Sequence, residues 1–486
     1  MPNTLRWPTK LGYGSAEFGV VAVETLLQIY LLKYYNTVVG LPAVWTGAAL
    51  ALAIAWDAVS DPIMGGLSDR TRSRWGKRRP YIVPGALALA VGFVFLFNPP
   101  TLESNLFKFL FLLVTYVFVN TAMTVVAVPH LALGGEISFD RDERTEVFGY
   151  RRVVSIFGSV LGLTLPAIVL GAMGGEATPE REQQSRDIAS FLLAVPIVLS
   201  AIVTFWATRG LDRSDDSIRE RISLVELLRG QLQALRNPMF VPLLLAFVVA
   251  AVGRAINAST GLYYYEYRLG LSEETTVGSV LLPFFVFFLV SIVMWVRLSR
   301  RYGKRGPALV GVGGLGLLTI IVYPLFPPES LIGPIAMAVG GGVLAGAIVL
   351  LDSMVADVVD HDELKTGRQR EGLYFGVWKM GTKLSRAIGL GLAGLLLSVI
   401  GFEEGATTQA PEVGFRLSIV FGPVVGLFFL AGGWILSRAP LTDAKHRRVQ
   451  QLLVRRRKGR ADRRAADEKS RTNPTGDQST GSIPVR

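Results

Sequence analysis

Two carboxylates lie within an apolar stretch of this sequence. Asp57 and Asp61 are four residues apart, in a segment that begins near Val44. In a helix this spacing places both side chains on one face, with their Cβ atoms about 6 Å apart. At an effective dielectric constant of about 20, their repulsion is about 3 kcal/mol, which a bound monovalent cation or a proton relieves. Ionised groups in such segments typically mark an ion or solute pathway.

Two hydroxyl side chains complete the predicted cation site. Ser60 lies between the two carboxylates, and Thr124 lies in a later apolar segment. Hard cations prefer oxygen ligands, which carboxylates and hydroxyls supply. We therefore predict a cation site formed by Asp57, Ser60, Asp61 and Thr124, with Asp57 and Asp61 as metal ligands if the cation is Na⁺. The alternative is a structural network in which the carboxylates pair with arginines.

Lys383 is the candidate partner of these carboxylates. It lies in a late apolar segment, residues 373–400, with Arg386 three residues further on. If that segment packs against the one that carries Asp57 and Asp61, two negative charges and one positive charge leave a single negative charge. That balance suits one Na⁺ or one H⁺. The alternative is that the Lys383 ammonium snorkels to the membrane interface.

Other charged residues in apolar segments are candidates for binding a solute. Glu17 and Glu24 share one face of the first segment, with Val21 between them, and carboxylates accept hydrogen bonds from hydroxyl-rich or cationic groups. Arg152, early in the fifth segment, either faces a cavity or ends the preceding basic loop. For Glu17 the alternative is an interfacial acid. Arg254 is a charge within an apolar segment that has no evident partner in the sequence.

A third group of charges lies at the ends of apolar segments, beside the basic loops. Asp69, Arg70, Arg144 and Asp357 belong to it, and we predict that they form gating ion pairs and contribute no chemistry. No P-loop, nucleophile elbow or zinc-ligand spacing occurs, the three histidines are dispersed, and there is no cysteine. The sequence therefore predicts that the protein is not an enzyme and needs no cofactor beyond a coupling Na⁺ or H⁺.

The elements that position these residues are predicted to be membrane-spanning helices. The chain has 486 residues, is 50% hydrophobic and has a mean hydropathy of +0.42. Apolar segments of about 20 residues, long enough to cross a bilayer, recur along it. Several of them are apolar on every face, unlike the amphipathic helices of soluble proteins. We therefore predict an all-α polytopic membrane protein with about twelve spans.

The net charge of +12 is confined to short loops and the C-terminal tail. Residues 70–79, 297–305 and the tail from Lys445 are basic, whereas the alternate loops carry glutamates. This is the positive-inside pattern of membrane proteins and does not indicate a nucleic-acid partner. It predicts a multi-pass protein of the cytoplasmic (inner) membrane, in contact with the lipid bilayer, with both termini cytoplasmic.

An internal repeat predicts two halves of six helices each. The first half contains Arg-Trp-Gly-Lys-Arg-Arg-Pro at 74–80, and the second contains the similar Arg-Tyr-Gly-Lys-Arg-Gly-Pro at 301–307. The offset is 301 − 74 = 227 residues. The same offset aligns Phe-Gly at 148–149 with Phe-Gly at 375–376. We divide the chain into an N-terminal six-helix bundle (1–210), a cytoplasmic linker with an amphipathic helix (211–237), a C-terminal six-helix bundle (238–440) and a basic disordered cytoplasmic tail (441–486).

Several motifs together resemble one transporter family. They are Lys-Leu-Gly-Tyr-Gly at 10–14, residues 56–62 and 74–80, Arg-Thr at 144–145, Gly-Tyr-Arg at 149–151, Ala-Asp-Val-Val-Asp-His-Asp-Glu-Leu at 356–364 and Arg-Glu-Gly at 370–372. The sequence resembles the glycoside–pentoside–hexuronide:cation symporter family, the melibiose-permease-like branch of the major facilitators. The resemblance implies a twelve-helix major facilitator fold, alternating access and Na⁺- or H⁺-driven uptake of glycosides or related sugars.

The resemblance also implies roles for particular residues. Asp57 and Asp61 match the acids that hold the coupling cation, Lys383 matches the lysine that links the cation and solute sites, and Arg152 matches a sugar-contacting arginine. The chain departs from the melibiose-type pattern at Val21, Ala127, Leu131 and Ile348, where such members carry an aspartate, a second acid and aromatic residues. Cation coupling is therefore better supported by the motifs than a disaccharide cargo.

These observations predict a cation-coupled secondary active symporter that imports a sugar or glycoside and functions as a monomer. Its partners are then a small solute, a monovalent cation and the bilayer. One alternative keeps the fold but carries a lysolipid-like or other amphipathic solute, which a more apolar cavity would favour. A second alternative is a membrane sensor that binds a ligand without transporting it.

Overall fold

The computed structural model describes residues 5–138, 141–174, 178–211, 233–367, 370–406, 408–440, 448–453 and 455. This part of the chain is helical, without strands, and twelve of its helices are long and apolar enough to cross a membrane. The predicted class is thereby confirmed. In chain order they are α1 Trp7–Val38, α2 Ala43–Arg70, α3 Arg79–Phe97, α4 Asn105–Glu136, α5 Arg141–Met173, α6 Pro179–Ala207, α7 Phe240–Arg268, α8 Glu273–Tyr302, α9 Arg305–Leu325, α10 Ile332–Thr366, α11 Glu371–Val399 and α12 Pro411–Arg438.

Most of the predicted linker and tail lies outside the described residues. That includes residues 212–232, with most of the expected amphipathic helix, and nearly all of the tail after residue 440. The end of the linker is described and contacts the second half. Asn237 Nδ2 donates to Tyr374 Oη at 2.8 Å, and Arg370 donates to Gln233 Oε1 at 3.2 Å.

The internal repeat has a counterpart in matching hydrogen bonds. α1 and α7 both end in a wider π-helical turn that begins with two tyrosines, Tyr34–Val38 and Tyr264–Arg268. Tyr34 donates to the carbonyl of Phe97 at the end of α3 at 2.7 Å, and Tyr264 donates to that of Tyr323 near the end of α9 at 2.8 Å. The repeated basic loops also share a left-handed glycine, with φ of 96° at Gly76 and 81° at Gly303, a conformation that side chains disfavour. The two halves therefore repeat local structure as well as sequence.

Among the described residues, three helix pairs make most of the contacts between the halves: α2 with α11, α1 with α7, and α5 with α8. The α2–α11 pair is closest near one end, where a Cβ atom on Gly47 would lie 3.0 Å from the Cα atom of Gly394. Small residues at such crossings let helix backbones approach closely. Toward the other end of the pair, a Cβ atom on Gly66, Gly372 or Gly376 would have no heavy atom within 4 Å. The two helices therefore pack tightly at one end and leave open space at the other.

The two sides of the bundle take their names from their loops. The basic side carries the loops at 71–78 and 303–304, and the acidic side carries the loops at 98–104, 269–272 and 400–410. The tight end of the α2–α11 pair lies on the acidic side, and its open end lies on the basic side. With twelve crossings, residues 5 and 440 lie on the basic side.

Candidate cation and solute sites

The packing of α11 on α2 brings both predicted carboxylates to the lysine. Lys383 Nζ lies 2.6 Å from Asp61 Oδ2 and 3.3 Å from Asp57 Oδ2. Lys379, one turn earlier on α11, is 52% exposed and lies 3.5 Å from Asp61 Oδ2. The net charge of −1 expected from the sequence counted Asp57, Asp61 and Lys383 only. With Lys379 included, two carboxylates face two ammonium groups, so a cation that binds here competes with lysines.

Side chains of α2 and α4 supply the neutral polar groups of this site. Thr124 Oγ1 donates to Asp61 Oδ1 at 2.9 Å, and Ser60 Oγ donates to Thr124 Oγ1 at 3.4 Å. Asn120 and Tyr116 lie on the same face of α4 as Thr124, one and two turns before it. Among the described residues, the buried Asn120 Nδ2, Tyr116 Oη and Asp57 Oδ1 atoms have no hydrogen-bond partner. Buried polar atoms are normally satisfied, so this site has capacity for a further ligand.

These groups fit a monovalent cation. Asp57 Oδ1 is an unpaired carboxylate oxygen, and Asp61, Ser60 and Thr124 supply further oxygens beside it. Carboxylate and hydroxyl oxygens are the ligands that hard cations prefer. A proton on one carboxylate would relieve the same repulsion. Tyr116, Asn120 and Lys379 join the residues predicted from sequence. Their signal was spacing, because Tyr116 and Asn120 precede Thr124 by eight and four residues.

Glu17, a candidate for solute binding, is held by Arg151 and His130. Arg151 donates to both of its oxygens, at 2.9 and 2.7 Å, and His130 Nδ1 lies 3.5 Å from Oε2. His130 is fully buried, and its other nitrogen, Nε2, lies 2.7 Å from the Tyr13 carbonyl. Arg151 therefore contacts Glu17, while Arg152, the residue singled out from sequence, lies on a different face of α5.

Arg152 is exposed and interacts electrostatically with Asp352 on α10. Asp352 Oδ1 accepts a hydrogen bond from Trp378 Nε1 at 2.8 Å, and the Trp378 ring stacks on Phe247 with centroids 4.1 Å apart. Because α5 belongs to the first half and α10 to the second, Arg152 faces the space between the halves. From the sequence, Arg152 was expected either to face a cavity or to end the preceding basic loop.

Glu24 joins α1 to α11. Arg386 Nη1 donates to Glu24 Oε1 at 2.8 Å, and the Glu24 side chain is half exposed. Arg386 lies three residues after Lys383 on α11. One helix therefore contacts the paired aspartates of α2 through Lys383 and the acid of α1 through Arg386.

The predicted gating residues pair within their own halves. Arg78 contacts Asp69 and lies 2.9 Å from Glu136, so Asp69 pairs with Arg78 rather than with Arg70, which is exposed. Arg144 donates to the carbonyl of Ser138 at 3.1 Å. In the second half, Lys304 Nζ lies 2.5 Å from Asp357 Oδ1. These contacts on the basic side do not join the two halves.

A cluster on the acidic side joins the halves and was missed by the sequence reasoning. Lys33 on α1 is 2% exposed and lies 3.2 Å from Glu182 of α6 and 2.5 Å from Glu266 of α7. Arg186 of α6 forms a second salt bridge with Glu273 at the start of α8, with both side chains at most 3% exposed. We call these five residues the acidic-side cluster. The sequence signal was weak, because each residue lies near a span end, where charges are common.

Comparison with known proteins assigns the family. A family model described as MFS/sugar transport protein matches residues 12–443. The chain belongs to this family. It is thus a glycoside–pentoside–hexuronide-type symporter of the major facilitator superfamily, a transporter and not an enzyme, and a multi-pass membrane protein.

Two relatives of this symporter differ in the cargo in their names. The isoprimeverose transporter of Lactiplantibacillus pentosus is 25% identical, with 87% of each chain covered. The sodium-dependent lysophosphatidylcholine symporter 1-A of Danio rerio is 27% identical, with 89% of this chain and 85% of the relative covered. The crystal structure of a bacterial homolog of the human lysosomal transporter Spinster, inward-facing and unoccupied, superposes with a TM-score of 0.67 at 16% identity, covering 90% of this chain and 98% of that one. That structure supports the fold alone.

Proposed function

We propose that this symporter couples the inward movement of one Na⁺ or H⁺ to uptake of a sugar or glycoside by alternating access. The carrying observation is the site between α2, α4 and α11. There Lys383 and Lys379 form salt bridges with Asp61. Asp57 Oδ1 has no hydrogen-bond partner and lies near the Ser60 and Thr124 hydroxyls. The basic side is cytoplasmic in this proposal, since positive loops face the cytoplasm.

Coupling follows from the charges at this site. A cation bound by Asp57 and Asp61 repels Lys383 and Lys379, because like charges compete for the same carboxylates. Lys383 lies on the same helix as Arg386, which holds Glu24 of α1. Displacement of Lys383 therefore alters how α11 contacts α1 and α2, two of the helices of the first half that contact the second half. In this way cation binding changes the solute path.

The main alternative cargo is an amphipathic, lysolipid-like solute. Apolar Leu131 and Ile348 stand where melibiose-type members carry aromatic residues, and Leu131 is exposed. Such side chains suit an acyl chain better than the face of a sugar ring. The Danio rerio relative is named for a lysophospholipid. The sensor alternative has less support, because the family and both named relatives are transporters.

The test of coupling begins with the cation alone. Purified protein is heated in NaCl, in choline chloride of equal ionic strength and across a pH series. We expect Na⁺ or protonation to raise the unfolding midpoint of the wild type and not that of Asp57→Asn or Asp61→Asn. Glu103→Gln, at an exposed loop position on the acidic side, serves as the matched control.

Transport is then measured in proteoliposomes under an inward Na⁺ or H⁺ gradient, with phenyl β-glucoside, phenyl β-glucuronide and palmitoyl lysophosphatidylcholine as radiolabelled probes. The gradient should drive accumulation in the wild type and in Glu103→Gln, and accumulation should be lost in both aspartate variants. Equal accumulation by the wild type and both aspartate variants would refute the assignment of the cation site. Accumulation of the lipid probe alone would select the alternative cargo.

A further inference from the structure

We propose that the transported solute carries an anionic group, a carboxylate or a phosphate, and that Arg254 on α7 binds it between the two halves. The inference rests on the proposed function, because it takes the space between the halves as the solute path. It assigns Arg254 a role in selecting the solute.

Arg254 lies in the middle of its span, and its side chain is exposed rather than packed against a neighbouring helix. Within Phe240–Tyr263, only Leu245 and Arg254 are exposed. In the part of the chain that the structure describes, Arg254 has no salt bridge and no hydrogen bond. Charged side chains at mid-membrane depth are rare and face a bundle interior or a water-filled cavity, where they act on ions or substrates. An arginine that is both central and unpaired is therefore a candidate ligand-binding group.

The neighbours of Arg254 place it in the cavity rather than toward lipid. It interacts electrostatically with Asp352 of α10, Arg386 of α11 and Glu24 of α1, which come from both halves. The positions flanking it are occupied by helix packing. A Cβ atom on Gly253 would meet Phe428 of α12, and one on Gly389 of α11 would meet Ala255. Arg254 thus points between those contacts, toward the space that α1, α10 and α11 surround.

Nearby acids leave Arg254 with capacity for an anion. Asp352 already accepts from Trp378 Nε1 at 2.8 Å and also interacts with Arg152, and Glu24 is paired with Arg386 at 2.8 Å. The central charged groups number five cationic and four anionic side chains, an excess of one positive charge: Arg152, Arg254, Lys379, Lys383 and Arg386 against Glu24, Asp57, Asp61 and Asp352. A bound Na⁺ or H⁺ raises that excess. An anionic solute offsets it.

The guanidinium group defines the chemistry of the ligand. Its planar array of N–H donors matches a carboxylate or a phosphate in a bidentate arrangement, which the point charge of a lysine does not reproduce. A neutral sugar hydroxyl gains no such charge-assisted contact. We therefore expect discrimination between anionic and neutral solutes of the same shape, with arginine superior to lysine at this position.

The test compares matched pairs of ligands on the purified full chain. Phenyl β-glucuronide and phenyl β-glucoside differ in one carboxylate, and palmitoyl lysophosphatidylglycerol and monopalmitin differ in one phosphodiester with its headgroup. Binding of all four is measured by isothermal titration in NaCl. We expect at least one anionic probe to bind the wild type about tenfold or more tighter than its neutral match. The pair that shows the preference identifies the source of the anion, a sugar acid or a lipid phosphate.

Three variants then assign the preference to Arg254. Arg254→Gln should bring the two members of the preferred pair to within about twofold of each other. Arg254→Lys should retain part of the preference, and it stands in if the glutamine variant fails to fold. Arg301→Gln removes an exposed arginine at the basic-side end of α8 and should behave as wild type.

Two outcomes would overturn the inference: a wild type that prefers neither anionic probe, or an Arg254→Gln variant that keeps the full preference. The cation-dependent unfolding midpoint is recorded on the same samples without solute. A normal cation response with no anion preference rejects this inference alone. An anion preference without any cation response rejects the proposed coupling and leaves Arg254 as an anion site.

Discussion

The two ends of the interface between the halves are built differently. On the acidic side, buried salt bridges cross from one half to the other, through Lys33 to Glu266 and Arg186 to Glu273. On the basic side, the described salt bridges stay within a half, as between Lys304 and Asp357 and between Arg370 and Asp362. Salt bridges therefore connect the two halves on the acidic side, whereas on the basic side they connect helices of the same half.

This difference indicates which contacts change during transport. If the halves rock as rigid bodies, pairs within one half persist, and pairs that cross the interface must break. Removing one partner of a buried ion pair is strongly unfavourable, because a desolvated charge is left uncompensated. The acidic-side cluster thus stabilises the conformation seen here, in which that side is sealed and the α2–α11 pair leaves open space toward the basic side.

The largest expected effect comes from the most buried crossing pair. Arg186→Met leaves Glu273, 2% exposed, without its partner. We expect it to destabilise the sealed acidic side by about 3–5 kcal/mol and to shift molecules toward opening there. A cysteine introduced at Thr260, a buried position on α7 toward the acidic side, reports opening by its rate of maleimide labelling, since the chain has no cysteine of its own.

A double variant separates burial of an unpaired charge from loss of attraction. In Arg186→Met/Glu273→Met both charges are gone, and apolar replacement of a whole buried pair is commonly neutral or stabilising. Labelling at position 260 should therefore return to the wild-type rate or below it. A double variant that labels as fast as Arg186→Met would show instead that loss of the attraction, and not the unpaired charge of Glu273, opens the acidic side.

The next largest effect is expected at the centre, where Lys383 contacts Asp57 and Asp61, the carboxylates that we propose bind the cation. Lys383→Met removes this competitor and should increase the apparent affinity for Na⁺ by about tenfold, corresponding to about 1.4 kcal/mol. Concentrative uptake should fall at the same time, because the link from cation to α11 is lost. Na⁺ titrations of the unfolding midpoint and gradient-driven uptake measure the two effects.

Lys379→Met is the matched comparison for Lys383. The Lys379 side chain is 52% exposed, with Nζ 3.5 Å from Asp61 Oδ2, whereas the Lys383 side chain is 23% exposed, with Nζ 2.6 Å from the same atom. Water screens the more exposed pair, so its removal should change Na⁺ affinity by no more than about threefold. Equal effects of the two substitutions would show that position on α11, and not burial, governs the competition.

Sequence patterns predicted the spans and the cation group because both depend on local spacing. Apolar length defines a span, and the four-residue spacing of Asp57 and Asp61 places them on one face whatever surrounds them. Lys383 was a candidate partner because it is a charge in an apolar segment, and the family resemblance supported this link across more than 300 residues of chain. Lys379 escaped notice, although it lies one turn from Lys383, because the sequence does not show how α11 is rotated against α2.

Helix rotation also explains why the contact between Arg151 and Glu17 was not predicted. Neighbouring residues on a helix point about 100° apart, so a rotation of that size decides whether Arg151 or Arg152 faces Glu17. The acidic-side cluster could not be predicted from the sequence for another reason. Lys33 and Glu182 are 149 residues apart, and each alone resembles an ordinary interfacial charge. Their pairing depends on how α1, α6 and α7 meet, which no local pattern specifies.

A smaller effect is expected when a salt bridge within one half is removed. Lys304 is about a quarter exposed, and its partner Asp357 is buried. Lys304→Met should lower the unfolding free energy by about 1–2 kcal/mol, since a buried carboxylate loses a charge-assisted partner. Labelling at position 260 should not change, because the pair does not cross the interface. Faster labelling in this variant would contradict the division between pairs that cross the interface and pairs within one half.

The smallest effect is expected where a contact crosses the interface but lies in water. Glu404 is exposed, and one of its oxygens accepts from the backbone N–H of Ala43 at 3.3 Å, linking the two halves on the acidic side. Glu404→Gln keeps an acceptor of the same shape and removes only a solvated charge, so it should weaken closure by no more than about 0.5 kcal/mol. The labelling rate at position 260 should then stay within about twofold of the wild-type rate. Glu404→Gln and Arg186→Met thus compare an exposed contact with a buried salt bridge on the same side of the interface. A large increase in labelling for Glu404→Gln would instead show that crossing the interface is sufficient, wherever the contact lies.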